Sequence, residues 1–216
     1  MRPTPSTERL YKVARRRIGH FRALIPKEPT PVTPELDRSI AFVSIELLNL
    51  WVQFSRTYYL ASCRGAVGPG DTRVTTSMQY VNDAESIRLA TNFIRNTSFA
   101  SDYRIRPREE PNWLQPDNLL RALDHVGASN HAIVGAAIGG ARSALDHLPT
   151  VRNFYGHRAQ NTAEKVIGAR GVIHRYGVPP VDHPTHFCLA YPSSSPLPIL
   201  GGWLETINVA VQQCCI

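Results

Sequence analysis

Within the stretch Val151, Arg152, Asn153, Phe154, Tyr155, Gly156, His157, Arg158, three side chains have types and spacing suited to chemistry. Arg152 offers a permanent cation for a phosphate, Asn153 a hydrogen-bonding amide, and His157 an imidazole, the side chain that exchanges protons near neutral pH. Together these groups are what metal-free cleavage of an RNA phosphodiester requires. Spacing alone decides little. Arg15 to His20 and Arg142 to His147 repeat the interval of Arg152 to His157, and at this arginine content chance supplies it about once per chain. Only the third match has Asn directly after the arginine and aromatics between the polar ends. Requiring that Asn reduces the accidental expectation to roughly one chain in twenty.

On a regular helix, Asn153 and His157 are four apart and share a face, whereas Arg152 and His157 lie about 140° apart around the axis. Two arrangements bring the latter pair together. Either the helix begins irregularly, which Pro149 and Gly156 permit, or a second copy completes the site across a two-fold axis. In the second case one His157 takes the proton of a ribose 2′-hydroxyl, which attacks the adjacent phosphorus. The other His157, or water, protonates the departing 5′-oxygen, and Arg152 stabilises the phosphate charge. Products are a 2′,3′-cyclic phosphate and a 5′-hydroxyl, and DNA, lacking the 2′-hydroxyl, is inert. Asn153 orients His157 or bonds the phosphate. Tyr155 and Arg158, beside the three catalytic candidates, are expected to contact the RNA.

Other constellations carry less. Asp182, His183, His186 and Cys188 are all zinc-ligand types, but no second cluster accompanies them, and Pro180 and Pro184 mark an ordinary loop. No metal or other cofactor is expected. Glu109 and Glu110, next to Arg104, Arg106 and Arg108, read as a solvated charged loop. The glycines at 65, 68 and 70 are not followed by the Lys-Ser/Thr of a phosphate-binding loop.

The chain has 216 residues, 43% of them hydrophobic and 19% charged, which suits a globular protein with one sizeable core. A net charge of +7 and a pI near 9.5 favour an anionic partner, nucleic acid above all. Only Lys12, Lys27 and Lys165 are lysines among the 24 basic residues. Cys63, Cys188, Cys214 and Cys215 lack CxxC spacing and read as reduced thiols. Gln213 stands where a prenylation box needs cysteine. The first residues carry no apolar leader, and the apolar run at 132–141 is too short to span a bilayer. A cytoplasmic protein without membrane contact is expected.

Periodicity three and four recurs throughout and period two almost nowhere, so the expected fold is all-α, an antiparallel helical bundle with extra helices at both ends. Residues 1–34 form a basic arm and Pro-rich linker. Within it Thr7 is the expected cap of a helix over 8–24 whose apolar stripe is Leu10, Val13, Ile18 and Phe21. Residues 35–216 form the helical domain. Its expected helices cover 35–63, 83–96, 117–125, 129–148, 151–176 and 199–214, with 177–198 as loop. Pro149 separates the fourth from the fifth, and Gly135, Gly139 and Gly140 permit a neighbouring helix to approach closely.

A helix pair with Arg-Asn-x-x-x-His near the start of the last core helix resembles the HEPN superfamily. The residues that carry the likeness are Arg152, Asn153 and His157, closely over about thirty positions and architecturally over 35–176. The resemblance implies an all-α, dimeric, metal-independent endoribonuclease with its active site at the dimer interface. It also implies a toxin or antiphage-defence role with an antitoxin or defence-system partner protein. Ala159 occupies the place, two after the motif histidine, where nucleotidylylated members have tyrosine. A non-catalytic helical module that binds RNA or protein through its basic face is the alternative.

Overall fold

The computed structural model describes residues 4–78 and 82–215. The outermost ends of the expected arm (1–3) and helical domain (216) lie outside the described residues. The fold is all-α, with eight α-helices among the described residues: α1 Thr7–Ala23, α2 Pro34–Cys63, α3 Asp83–Arg95, α4 Pro116–His125, α5 His131–His157, α6 Gln160–Ile167, α7 Pro184–Leu189 and α8 Ile199–Cys215. Among the described residues, extended pairing is limited to the isolated bridges Ser6 to Val67 and Val67 to Arg73. No described helix is long and apolar enough to cross a membrane.

The chain forms two compact units: Met1–Ala14, Trp51–Gly140 and Val209–Ile216 in one, Arg15–Leu50 and Ala141–Asn208 in the other. Each is assembled from several stretches of the chain.

In the first unit, Trp51, Tyr58 and Tyr59 are almost wholly buried, as the apolar spacing of α2 requires. The two tyrosine hydroxyls find partners: Tyr58 donates to Cys214 O at 2.6 Å and Tyr59 to Ser86 O at 2.9 Å. The Thr7 hydroxyl donates to Cys215 O at 2.7 Å, satisfying another carbonyl that the end of α8 leaves open. Thr7 is therefore not the cap of α1. Ser6 takes that place, its Oγ accepting from Arg9 N at 3.3 Å. Asn82 caps α3 as its type favours, accepting from Glu85 N. Glu110, expected in a solvated loop, is instead buried and held by Arg56 Nε and Nη2 at 2.7 and 2.9 Å and by Trp113 Nε1 at 3.1 Å.

In the second unit, Ile18 and Phe21 of α1, Leu47 of α2, Leu148 of α5 and Phe187 of α7 are buried. The basic face of α1 is partly tied down here, by Arg17 to Glu46 and by a two-bond contact of Arg22 with Glu205. In the stretch of α1 that belongs to the first unit, Val13, placed in the apolar stripe by sequence, is 58% exposed, and Ala14 is buried in its stead.

The main departure from expectation is α5. It runs unbroken through Pro149, where sequence reading ends one helix and starts another. A proline inside a helix costs about 3 kcal/mol. Leu145, Leu148, Val151 and Phe154, on the turns either side of the proline, are all buried, each contributing about 1.5–3 kcal/mol. Their burial wins. The helix expected to reach 176 stops at 157 and gives way to α6 and a 3₁₀ turn at Val172–Arg175. Gly168 and Gly171 permit the turn between them, since a Cβ there would sit 2.5 and 2.6 Å from the Glu164 and Val166 carbonyl oxygens. The short α7 lies in the expected loop. Gly139 and Gly140, expected to admit a close helix, have no described atom within 4 Å of a Cβ position.

Candidate functional site

All the candidate residues belong to the second unit, in the last turns of α5. They occupy the end of a 27-residue helix, not the start of one as sequence reading placed them. Asn153 and His157 are exposed on one face, and Arg152 is half-buried. Arg152 Nη1 donates to Asn153 Oδ1 at 3.4 Å. The same nitrogen lies 4.0 Å from where a Cβ on Gly156 would stand. The guanidinium thus reaches along the helix over the glycine next to His157. Gly156 leaves it room to do so. Among the described residues no carboxylate pairs with Arg152 and no hydrogen bond or ion pair engages His157.

The end of α5 is fixed by the residue after His157. Arg158 has φ +47°, left-handed backbone that costs a non-glycine residue about 1–2 kcal/mol. Its N–H closes the helix on Phe154 O at 2.6 Å, the arrangement of an αL cap. The strain is offset because its guanidinium donates to Asp37 Oδ2 at 2.7 Å and lies 5.7 Å from the Tyr155 ring centroid. Asp37 Oδ1 in turn accepts from the Thr185 hydroxyl at the start of α7. Burial pushes the Asp37 carboxyl up, but the bonds from Thr185 and Arg158 outweigh it, and the group sits below the usual carboxylate range. Arg158 is therefore engaged by Asp37 and positions the chain.

Tyr155, expected to touch RNA, is only 6% exposed. Its hydroxyl is bonded to Thr185 Oγ1 at 2.9 Å, and burial drives the phenol far above its ordinary value. It offers no open surface to a nucleotide; it packs. Of the sequence-level site, the structure therefore brings Arg152, Asn153 and His157 to the surface and turns Tyr155 inward.

The other Arg-x4-His matches differ. Arg142 Nε is bonded to Asp146 at 3.0 Å, and His147 Nδ1 lies 2.8 Å from the Tyr176 hydroxyl. Tyr176 also accepts from Trp203 Nε1 at 2.7 Å and contacts Ser143 Oγ at 3.1 Å. Burial, with Arg175 nearby, lowers the His147 imidazole from its ordinary value despite Asp146. Arg142 and His147 are thus each engaged within the protein. His20 of α1 has its ring centroid 6.3 Å from that of Phe21 and 6.5 Å from that of Phe42 on α2.

No family model, curated protein or solved structure matches the chain.

The zinc-type residues divide between different environments. His186 Nδ1 bonds Asp182 Oδ1 at 2.5 Å, His183 Nδ1 accepts from Thr185 N at 3.2 Å, and Cys188 is fully buried, its thiol pushed up to about 12. Among the described residues no three metal-ligand types converge. Asp37 and Thr185 were missed by sequence reading. Asp37 stands in the first turn of α2, where an acidic residue already suits the helix dipole, so its type and position gave no sign of a partner 121 residues away.

Proposed function

We propose that this protein is a metal-independent endoribonuclease that uses Arg152, Asn153 and His157. The observation that carries this reading is the exposed end of α5. A histidine with no engaged partner and an arginine without a carboxylate stand on either side of Gly156. His157 accepts the 2′-hydroxyl proton, the 2′-oxygen bonds to phosphorus, and the bond to the 5′-oxygen breaks as that atom gains a proton. Arg152 neutralises charge on the phosphate oxygens, and Asn153 holds Arg152 toward them. The proton for the leaving oxygen comes from water or from a second His157, which a homodimer would supply. The dimer answers the 140° separation of Arg152 and His157 that one helix imposes.

The reading rests on the residue set and its exposure, since the hairpin expected around the motif is replaced by one continuous helix. As the HEPN resemblance implies, the setting is a cytoplasmic toxin or antiphage effector, held in check by a partner protein. A non-catalytic module is the second reading, favoured by Arg9, Arg15 and Arg16 on the exposed face of α1.

Incubating single-stranded RNA in EDTA with wild type, His157→Ala and Arg152→Ala tests the proposal. Wild type should yield cyclic phosphate ends, and each variant should lose about 10²-fold or more in rate. The folded stability of each variant should stay within about 0.5 kcal/mol of wild type, because neither side chain is core. Cleavage by all three proteins, or by none, defeats the enzymatic reading. A light-scattering mass of one chain, 24.1 kDa, under active conditions removes the shared site.

A further inference from the structure

The first unit contains a pocket of about 750 Å³ that the nuclease reading does not use. Sites for small ligands run about 300–1,000 Å³. Its walls are the middle of α2, the first turns of α3, and the segment between α3 and α4 that carries Tyr103, Arg104 and Arg106.

The wall carboxylates are already matched. Glu110 is held by two nitrogens of Arg56, and Asp83 is paired with Arg64. Arg104 and Arg106 are exposed, and among the described residues neither forms an ion pair. Glu109 beside the pocket interacts electrostatically with Arg106 and offsets part of its charge, but the groups facing the pocket without an ion pair are forked cations, the form that suits phosphate oxygens. Beside these arginines Tyr103 is 39% exposed and stacked on Phe99, centroids 4.8 Å apart and planes 13° apart. Apolar surface from Ile87, Ile105 and Pro107 completes the lining. A bare phosphate would leave most of this volume empty and the aromatic surface unused.

The segment is held in place before any ligand arrives. Arg95 Nη2 donates to the Arg108 and Glu110 carbonyl oxygens at 3.0 and 2.8 Å. Glu109 accepts from Arg106 N at 2.8 Å and from the Tyr103 hydroxyl at 2.9 Å. Ordering cost on binding is correspondingly small.

We infer that this pocket binds a nucleoside 5′-phosphate, the base against Tyr103 and the phosphate on Arg104 and Arg106. Stacking on an exposed tyrosine tolerates any base, and arginine forks select the phosphate. The same chemistry is offered by a free mononucleotide and by one residue of an RNA strand. Because a free nucleotide suffices, the inference stands apart from the nuclease reading.

Isothermal titration of the full chain with AMP, and with a 2′-O-methyl hexa-adenylate that no 2′-hydroxyl attack can cleave, tests it. At least one ligand should saturate below millimolar concentration. Replacing both arginines (Arg104→Ala, Arg106→Ala) should weaken binding tenfold or more, and Tyr103→Leu about fivefold. His157→Ala should leave both titrations unchanged, so loss of cleavage and loss of binding are read separately. Binding of AMP marks a free nucleotide as ligand; binding of the hexamer alone marks a strand. The inference is overturned if neither saturates, or if the double variant binds like wild type. Displacement of AMP by an equal concentration of inorganic phosphate also overturns it. If the double variant fails to fold, unchanged binding by Tyr103→Leu is decisive in the same direction.

Discussion

Arg158 Nη1 lies 2.7 Å from Asp37 Oδ2, joining the residue after α5 to the first turn of α2 across 121 positions of sequence. The contact holds Arg158 in left-handed backbone and so ends α5 directly behind His157. Asp37 is a positioning residue: it sets where the imidazole sits without being placed to touch substrate.

Asp37→Asn keeps a partner for Thr185 but removes the charge that Arg158 meets. Hydrogen bonds to charged groups contribute about 1.5–3 kcal/mol, so the urea-unfolding free energy should fall by about 2 kcal/mol. Amide exchange at Arg158, whose N–H is bonded to Phe154 O at 2.6 Å, should speed up. An unchanged exchange rate would mean that the cap stands without Asp37.

Acid should act on the same contact. The Asp37 carboxyl in the folded protein lies below its ordinary value of 3.8, so its contribution is complete above 3.8 and is lost as pH falls through the lower folded value. The unfolded chain takes up the proton first, which is why stability declines in that direction. Between pH 3.8 and the folded value, wild type should lose stability more steeply than Asp37→Asn. Parallel curves would contradict the assignment.

Gly156 is the opening through which Arg152 reaches toward His157. An added methyl would meet Arg152 Nη1 at 4.0 Å, an ordinary contact. Gly156→Ala should therefore raise stability by about 0.5–1 kcal/mol through helix propensity and leave RNA cleavage within about twofold. Gly156→Phe should displace the guanidinium and reduce cleavage about tenfold or more, read as initial rate at saturating RNA.

His147 acts in the same direction but in a higher pH window. Burial lowers its imidazole below 6.5, so its stabilising effect is complete above 6.5 and is lost as pH falls through the folded value. The midpoint of thermal unfolding should fall on acidification through that window. In His147→Gln that slope should flatten, with Tyr176 keeping its bond from Trp203 Nε1 at 2.7 Å. A slope that survives the substitution would assign the effect to another group.

Local sequence determined the helices themselves. The three-and-four spacing of Ile40, Val43, Leu47, Trp51, Phe54 and Tyr58 set the face of α2 that is buried, and the cap formers Asn82 and Asp83 marked the start of α3, the structure choosing Asn82. The exposure of Asn153 and His157 was also legible, because residues four apart share a face. What only the tertiary structure decided were the outcomes of competition between local preference and distant contacts. Pro149 has a local penalty, yet the burial of Leu145, Leu148 and Val151 carries α5 through it. Arg158 has no local reason to adopt a left-handed backbone, and Asp37 supplies one from another helix. Tyr155 reads as a surface aromatic until Thr185 is seen to bond its hydroxyl in the core. Capping and periodicity act over a few residues and are written where they act, whereas burial and ion pairing depend on which surfaces the folded chain brings together.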